Sequence, residues 1–131
     1  AFYDRPLEEQ SFEAMRRLED ELTSELYGLV FDHRDAFLLV LTRSAGTRWE
    51  GYLDRFADIE TASTARYVRE MGEKGVSVRA ISEPMARTLA RQFFVGFFQP
   101  LVEGMDRAQA LAFVAEYSTF YHAGYAALMT P

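Results

Sequence analysis

The apolar residues of this chain recur every three or four positions almost from end to end, and this period constrains the fold more than any other feature. Such spacing is typical of amphipathic α-helices, whereas strands need alternation with a period of two. Only Val76-Ser77-Val78 alternates, and this segment is too short to build a sheet. A chain of 131 residues is expected to form one domain. The sequence therefore predicts a single all-α domain spanning 1–131.

Capping residues, glycines and prolines divide the pattern into five predicted helices. Pro6 and Pro84 are expected in first helical turns, and Gly104 is expected just past the end of a helix. The second helix, capped by Asp35, is apolar nearly all round, which indicates a buried helix. The predicted helices run from after Asp4 to about Phe31, from Ala36 to Arg43, from the capping box Thr47-Arg48-Trp49-Glu50 to about Gly72 or Gly75, from Ser82 to about Glu103, and from Asp106 to about Met129.

The last two predicted helices carry apolar residues on two faces, although one stripe suffices for packing on one side. Gly96 would let another helix approach closely. We expect these helices to pack against their copies across a two-fold axis as a four-helix dimer seam. The alternative is that other helices of the same chain cover both faces. The residues predicted at the dimer interface are Phe94, Phe98, Leu101, Phe113, Tyr117, Phe120 and Gly124.

Composition excludes several function classes. The net charge of −6 argues against a nucleic-acid-binding surface on this chain, and the absence of cysteine excludes disulfides and thiol chemistry while favouring a cytoplasmic location. No apolar run is long enough to span a bilayer, so no membrane partner is expected. Neither His33 nor His122 has a glutamate at a helical metal-ligand spacing. No nucleophile, metal or cofactor constellation is present, so we expect neither an enzyme nor a cofactor.

One candidate site lies on the third predicted helix, where Phe56, Glu60, Ser63 and Tyr67 follow one another at spacings of four, three and four. Glu60 is thus an ionisable group on or beside an apolar stripe, and a buried carboxylate is costly unless something pairs with it. Arg66, Arg91 or solvent could satisfy it. Alternatively, it lines a cavity for a small molecule with a donor or cationic group. The residues predicted to bind that ligand are Phe56, Glu60, Thr64, Tyr67, Phe93, Phe97 and His122.

The order of these segments resembles the C-terminal regulatory domain of TetR/AcrR-family transcriptional regulators. The resemblance extends from about Ser11 to the end of the chain. It rests on the apolar segment 37–41, Ser44-Ala45-Gly46-Thr47, Ile59-Glu60 with Thr64 and Tyr67, the Asp106-x-x-Gln-Ala opening, and Phe120-Tyr121-x-Ala-Gly124-Tyr125-x-x-Leu128. It implies an all-α domain that senses an effector and dimerises through its last two helices. The family's N-terminal helix-turn-helix is not found in this chain, so the resemblance places DNA contacts outside it.

Two function hypotheses remain open. The first is the effector-binding and dimerisation domain of a TetR-like regulator, in which a bound small molecule resets the two subunits and releases DNA. The second is a helical homodimer used only for protein interaction, with no small-molecule pocket. A cavity of about 300 Å³ or more with Glu60 on its wall favours the first, and an interior filled by aromatic side chains favours the second.

Overall fold

The computed structural model describes residues 1–48 and 50–131, and across this part of the chain it is entirely helical, without strands. The all-α prediction is confirmed at that level. Two short 3₁₀ turns, Phe2–Asp4 and Leu7–Glu9, precede the α-helices. These are α1 (Phe12–Asp32), α2 (Arg34–Arg43), α3 (Tyr52–Glu73), α4 (Glu83–Val102) and α5 (Arg107–Met129).

The first helix begins later than expected, because Ser11 and not Asp4 starts it. The Ser11 hydroxyl accepts a hydrogen bond from the backbone N–H of Ala14 at 3.1 Å, which satisfies a free donor of the first turn. Before it, the buried Gln10 amide donates to the carbonyls of Tyr3 and Arg5. Lys74, just after α3, donates to the Gln10 amide oxygen at 2.6 Å. These bonds fix the N-terminal segment in 3₁₀ turns against the end of α3.

The third helix also begins later, at Tyr52 and not at Thr47. The Thr47 hydroxyl donates to the Ser44 carbonyl, and the Glu50 carboxylate accepts from the backbone N–H of Gly46. Both side chains therefore stabilise a turn before the helix. Gly51 then has φ of +76°, a left-handed conformation that glycine adopts without strain. Trp49, predicted to open the apolar stripe of α3, lies outside the described residues.

The second helix is not the buried helix that its composition suggested, since none of its residues is fully buried. Phe37, Leu38 and Leu41 pack on the core from one side, whereas Leu39 is exposed. The helix covers one edge of the bundle, so a nearly all-apolar sequence here serves a single packed face. Its start, at Arg34, lies two residues before the predicted one.

The last two helices follow their capping signals closely. Ser82 precedes α4 with Pro84 in the first turn, although the Ser82 hydroxyl makes no capping hydrogen bond. Gly104 has φ of +76° after the end of α4. At the start of α5, the Asp106 carboxylate accepts from the Gln109 backbone at 2.8 Å, and the Gln109 side chain accepts from the Asp106 backbone at 3.1 Å. This complete capping box fixes the short connection that makes α4 and α5 antiparallel neighbours.

Two hydrophobic clusters lie along the bundle. The first, which we call the aromatic core, is centred on buried residues of α1, α4 and α5: Tyr27, Val30, Phe94, Phe97, Phe98, Leu101, Ala110 and Val114. The second, which we call the terminal cluster, is centred on Tyr67, Met71 and Met129, with Phe12, Met15 and Tyr125 packed against it. The candidate site lies between the two clusters.

Candidate functional site

A cavity of about 240 Å³ lies among α1, α3, α4 and α5. Its volume is below the roughly 300 Å³ given above as favouring a ligand site, so only the second condition, Glu60 on the wall, is met. The space admits only a compact molecule. Six of the seven predicted ligand-binding residues line it: Glu60, Thr64, Tyr67, Phe93, Phe97 and His122. The structure thus brings together residues from three helices that the sequence linked only by pattern.

Phe56 is the exception among the predicted ligand-binding residues. Its ring stacks against Phe94 at 5.1 Å between centroids and lies 6.0 Å from Phe98, within the aromatic core. It is absent from the cavity wall. The prediction is corrected here: Phe56 lies about one helical turn before the level at which α3 opens onto the cavity.

The Glu60 carboxylate has no hydrogen-bond or ion-pair partner within residues 1–48 and 50–131. The two arginines considered as its partners are engaged elsewhere. Arg66 lies 3.5 Å from Glu70 and stands over the Tyr3 ring, and Arg91 lies 3.0 Å from Asp54. Burial raises the pKa of Glu60 above its ordinary value. A half-buried carboxyl without a protein partner is therefore directed into the cavity.

Glu19 on α1 is a second carboxyl on the cavity wall, and it was not among the predicted site residues. Burial, followed by repulsion from Glu60 and Asp20, raises the pKa of Glu19 to about 8. Its side chain remains 41% accessible, so solvent screens part of that repulsion. A signal for it existed, because Met15, Glu19, Leu22 and Leu26 have the same four-three-four spacing that singled out Glu60.

His122 on α5 contacts two carboxyl side chains of α1, those of Glu19 and Asp20. Its Nδ1 lies 3.5 Å from a Glu19 oxygen and its Nε2 lies 3.3 Å from an Asp20 oxygen. Burial nevertheless lowers the pKa of His122, against the opposing effect of Asp20, so the ring is neutral at pH 7. Arg16, also on the wall, lies 3.8 Å from Asp20. The cavity therefore holds two coupled carboxyls, a neutral imidazole and one guanidinium that already has a carboxylate neighbour.

Aromatic rings form much of the remaining wall. Phe93 is packed edge-on against Tyr121 at 5.2 Å, and Tyr125 lies 6.3 Å from Tyr121. Burial, followed by the charges of nearby groups including Glu60 and Glu19, raises the pKa of Tyr125, and burial likewise raises that of Tyr67. Both hydroxyls stay protonated near neutral pH. Sequence reasoning had considered Tyr125 for this wall but had not singled out Tyr121.

A second cavity, of about 420 Å³, lies beyond the terminal cluster between the N-terminal segment and the connection after α3. It shares Phe12, Tyr67 and Met129 with the first. None of its lining side chains carries a charge at pH 7. It is the roomier of the two, but it offers few groups that could select a ligand.

The predicted dimer-interface residues divide into two groups. Phe94, Phe98 and Leu101 are buried in the aromatic core of a single chain, so they need no partner. Phe113 is partly buried against the same core. By contrast, Phe120 is 74% exposed, and Gly124 on the same helix is exposed. The expectation that all seven require a second copy is therefore corrected, and only Phe120 and Gly124 remain open to one.

Tyr117 also makes its contacts within the chain, at the glycine expected to admit a neighbouring helix. Its hydroxyl donates to the carbonyls of Gln92 and Phe93 at 2.8 and 3.0 Å. Its ring occupies the space that a Cβ at Gly96 would take, with ring atoms 2.4 and 2.8 Å from that position. Gly96 does allow a close approach, but what approaches is the Tyr117 ring of α5 in the same subunit.

Comparisons with protein-family models, with characterised proteins and with solved structures give no match to this chain. A search of the described residues finds no cluster of His, Cys, Asp or Glu suited to a metal ion. None of the helices in that part of the chain is long and apolar enough to cross a membrane.

Proposed function

We propose that this chain is the effector-binding and dimerisation domain of a TetR-like transcriptional regulator. The observation that carries the proposal is the cavity itself, which is walled by four helices and holds a carboxyl, Glu60, that has no partner among the described residues. Natural cores rarely leave a half-buried carboxyl unpaired, because desolvation is not repaid. A site that recognises a ligand is a physical reason for keeping it.

The proposed dimer uses the exposed surface of α4 and α5. On these helices the large apolar side chains that a single chain leaves accessible are Met85, Val95, Val102, Leu111, Phe120 and Leu128. Phe120 is the most exposed large apolar residue among them, and such side chains at a helix pair favour a four-helix seam. A ligand enclosed by α1, α3, α4 and α5 would touch both seam helices. Its binding would thereby bias the relative setting of the two subunits.

DNA contacts in this proposal belong to an N-terminal helix-turn-helix domain outside the chain. A change in subunit setting would alter the separation of two recognition helices, which must match half-sites about 34–36 Å apart. The sequence encoded upstream of Ala1 in the gene tests this part. A helix-turn-helix with basic residues there supports it, and an upstream sequence without one removes the regulatory role.

Sedimentation velocity at micromolar concentrations tests the dimer. We expect a dimer for the wild-type chain and a monomer for Phe120→Asp. The matched control is Ile59→Asp, because Ile59 is a similarly exposed apolar residue on α3, outside the proposed seam. A monomeric wild type, or equal dissociation by both variants, contradicts the seam.

Electron-spin distance measurements test the coupling between ligand and subunit setting. The chain contains no cysteine, so Arg17→Cys on the exposed face of α1 provides one spin-label site per subunit. A compound that raises the melting temperature in a thermal-shift screen should shift the distance between the two labels. A dimer with an unchanged label distance for every hit, or with no hits at all, favours the interaction module without a pocket.

A further inference from the structure

The cavity carries enough chemistry to assign a class of ligand, and this inference rests on the proposed function. We propose that the cavity binds a compact organic monocation with an apolar body, and that the cation takes the place of the proton that Glu19 holds in the free protein. The three observations behind it are the placement of the two carboxyls, the aromatic wall and the engagement of the neighbouring cations.

The two carboxyls lie on different helices, α1 and α3, and both line the same cavity. Two carboxylates that interact in a partly desolvated site cannot both ionise at low cost, so one of them holds a proton. The pKa of Glu19, raised to about 8, places that proton mainly on Glu19 at pH 7. A positive charge between the helices stabilises both ionised groups and removes the reason to retain the proton.

The aromatic wall supplies the second element of cation recognition. Phe93 and Phe97 from α4 and Tyr67, Tyr121 and Tyr125 from α3 and α5 line the cavity. The faces of such rings attract a cation, and their edges and faces pack against an apolar body. A ring wall with carboxyls at one side suits an ammonium group attached to a small hydrophobic group better than it suits a metal ion.

The protein's own positively charged side chains do not neutralise Glu19 and Glu60. The charges that act on Glu19 are those of Glu60 and Asp20, and those that act on His122 are Asp20, Arg16 and Glu13. The two glutamates in turn act on neutral neighbours, Glu19 on Tyr67 and Tyr125 and Glu60 on Tyr125. Arg16 is the single positive side chain on the cavity wall, and it lies beside Asp20. His122 is neutral at pH 7 because burial lowers its pKa.

The exchange is balanced in atoms and charge. The protonated Glu19 carboxyl and a free cation become a Glu19 carboxylate paired with the bound cation, and the proton passes to the buffer. Between pH 6 and pH 7 the affinity for the cation should therefore rise about tenfold, and it should level off above pH 8. Protonation of His122 in acid acts in the same direction, since it places a competing positive charge beside Glu19.

Isothermal titration calorimetry with phenyltrimethylammonium tests the assignment. The matched neutral probe is tert-butylbenzene, which has the same shape without the charge. At pH 7, in phosphate and in HEPES buffers of different ionisation enthalpy, we expect nearly one proton released per bound phenyltrimethylammonium. We expect at least tenfold weaker binding of the neutral probe. Equal affinities for the two probes overturn the cation assignment.

Five variants locate the proton. Glu19→Gln should abolish proton release, and Glu60→Gln should reduce it because only burial and Asp20 then act on Glu19. The double variant should bind phenyltrimethylammonium at least tenfold more weakly. Glu21→Gln, an exposed carboxyl of α1 with the same change of charge, should behave as wild type. His122→Gln should retain proton release, and loss of release in that variant overturns the assignment to Glu19.

The two proposals fail in different ways. If phenyltrimethylammonium does not bind but a neutral or anionic compound stabilises the chain through the same cavity, the cation assignment is overturned and the effector-binding role stands. If cation binding releases no proton, the exchange is overturned while the cation site remains. If no compound of any charge binds, both proposals lose their support.

Discussion

The aromatic core and the cavity are built on the same helices, yet one is filled and the other is open. In the core, Tyr27 and Phe97 meet edge-on at 4.8 Å, and the Tyr27 hydroxyl donates to the Phe97 carbonyl at 2.7 Å. Phe97 and Phe98 are similarly packed at 5.0 Å. Among the described residues, no buried side-chain nitrogen or oxygen lacks a hydrogen-bond partner, and the rings of the core interlock. The core has the close packing expected of a protein interior.

At the level of the cavity, three helices replace core residues with polar ones. On α3, Phe56 is followed by Glu60 and Thr64. On α1, Glu19 and Thr23 precede the buried Tyr27, and on α5, Ser118 and His122 follow the buried Val114. The replacement occurs on all three helices at one level, between two apolar clusters. A coordinated polar band of this kind indicates a site that is kept at a cost in stability, as functional sites often are.

The largest expected effect on stability comes from removing a ring, and it should differ between the aromatic core and the cavity because the two are packed differently. Phe98→Ala removes a ring that is 2% exposed in the aromatic core, and we expect a loss of about 3–5 kcal/mol in the free energy of unfolding. Phe93→Ala removes a partly exposed ring beside an existing cavity and should cost at least about 1 kcal/mol less. Urea denaturation measures both. Equal losses would mean that the cavity end is as tightly packed as the core.

The next effect concerns the contact between α4 and α5. Gly96→Ala places a Cβ within 2.4 Å of the Tyr117 ring, which is fixed by its two hydrogen bonds, so we expect a loss of about 1–3 kcal/mol in the free energy of unfolding. Gly72→Ala is the control, because that Cβ meets nothing within 4 Å. The control should be neutral or stabilising by up to about 1 kcal/mol. A stable Gly96→Ala protein would show that Tyr117 has room to move.

A smaller effect of opposite sign is expected in the polar band. Glu60→Met replaces an unpaired carboxyl with an apolar side chain of similar length. It should raise the free energy of unfolding by about 1 kcal/mol, because the desolvation of an unpaired carboxyl is removed. Asp58→Asn, at an exposed position of the same helix, should leave it within about 0.5 kcal/mol. If Glu60→Met destabilises the protein, Glu60 has a structural partner and is not kept for a ligand.

The smallest effect is a pH dependence of stability. The pKa of Glu19 is raised to about 8 in the folded state, above its ordinary unfolded value, so folding favours its protonated form. Its contribution is present below the unfolded value and is lost as the pH rises through about 8. The melting temperature should therefore fall as the pH rises from 4.5 to about 8, and it should level off above that. Glu19→Gln should flatten this slope, and an unchanged slope in that variant would assign it to other groups.

Local sequence signals predicted the end of α4 and the start of α5 well. Gly104 and the Asp106–Gln109 capping box depend only on residues a few positions away in the chain. The starts of α1 and α3 were predicted too early, since the same polar side chains can stabilise a turn or a cap. Ser11 took the capping role, and Glu50 bonded to Gly46. Which use prevails depends on contacts with distant residues, such as Lys74 with Gln10, that no local pattern contains.

Periodicity indicates that a residue is buried, but not what buries it. The double apolar face of α4 and α5 was interpreted as a shared surface, yet Phe94, Phe98 and Leu101 are covered by the chain itself. Glu60 was found because it interrupts an apolar stripe. Glu19 interrupts an equivalent apolar line on α1 but was not predicted as a site residue. The charged residues at 16, 17, 20 and 21 make this stretch of the sequence resemble an ordinary polar face. The coupling of the two carboxyls required the three-dimensional arrangement.

A pH titration of the glutamate side-chain carboxyls by carbon-13 NMR, with and without phenyltrimethylammonium, tests the central claim most directly. In the free protein, one resonance, which Glu19→Gln removes, should titrate near pH 8, and that of Glu60 should titrate above its ordinary value. Added phenyltrimethylammonium should lower both midpoints. If both carboxyls titrate at ordinary acidic values and do not respond to the probe, the polar band is an ordinary solvated surface and the ligand site does not exist.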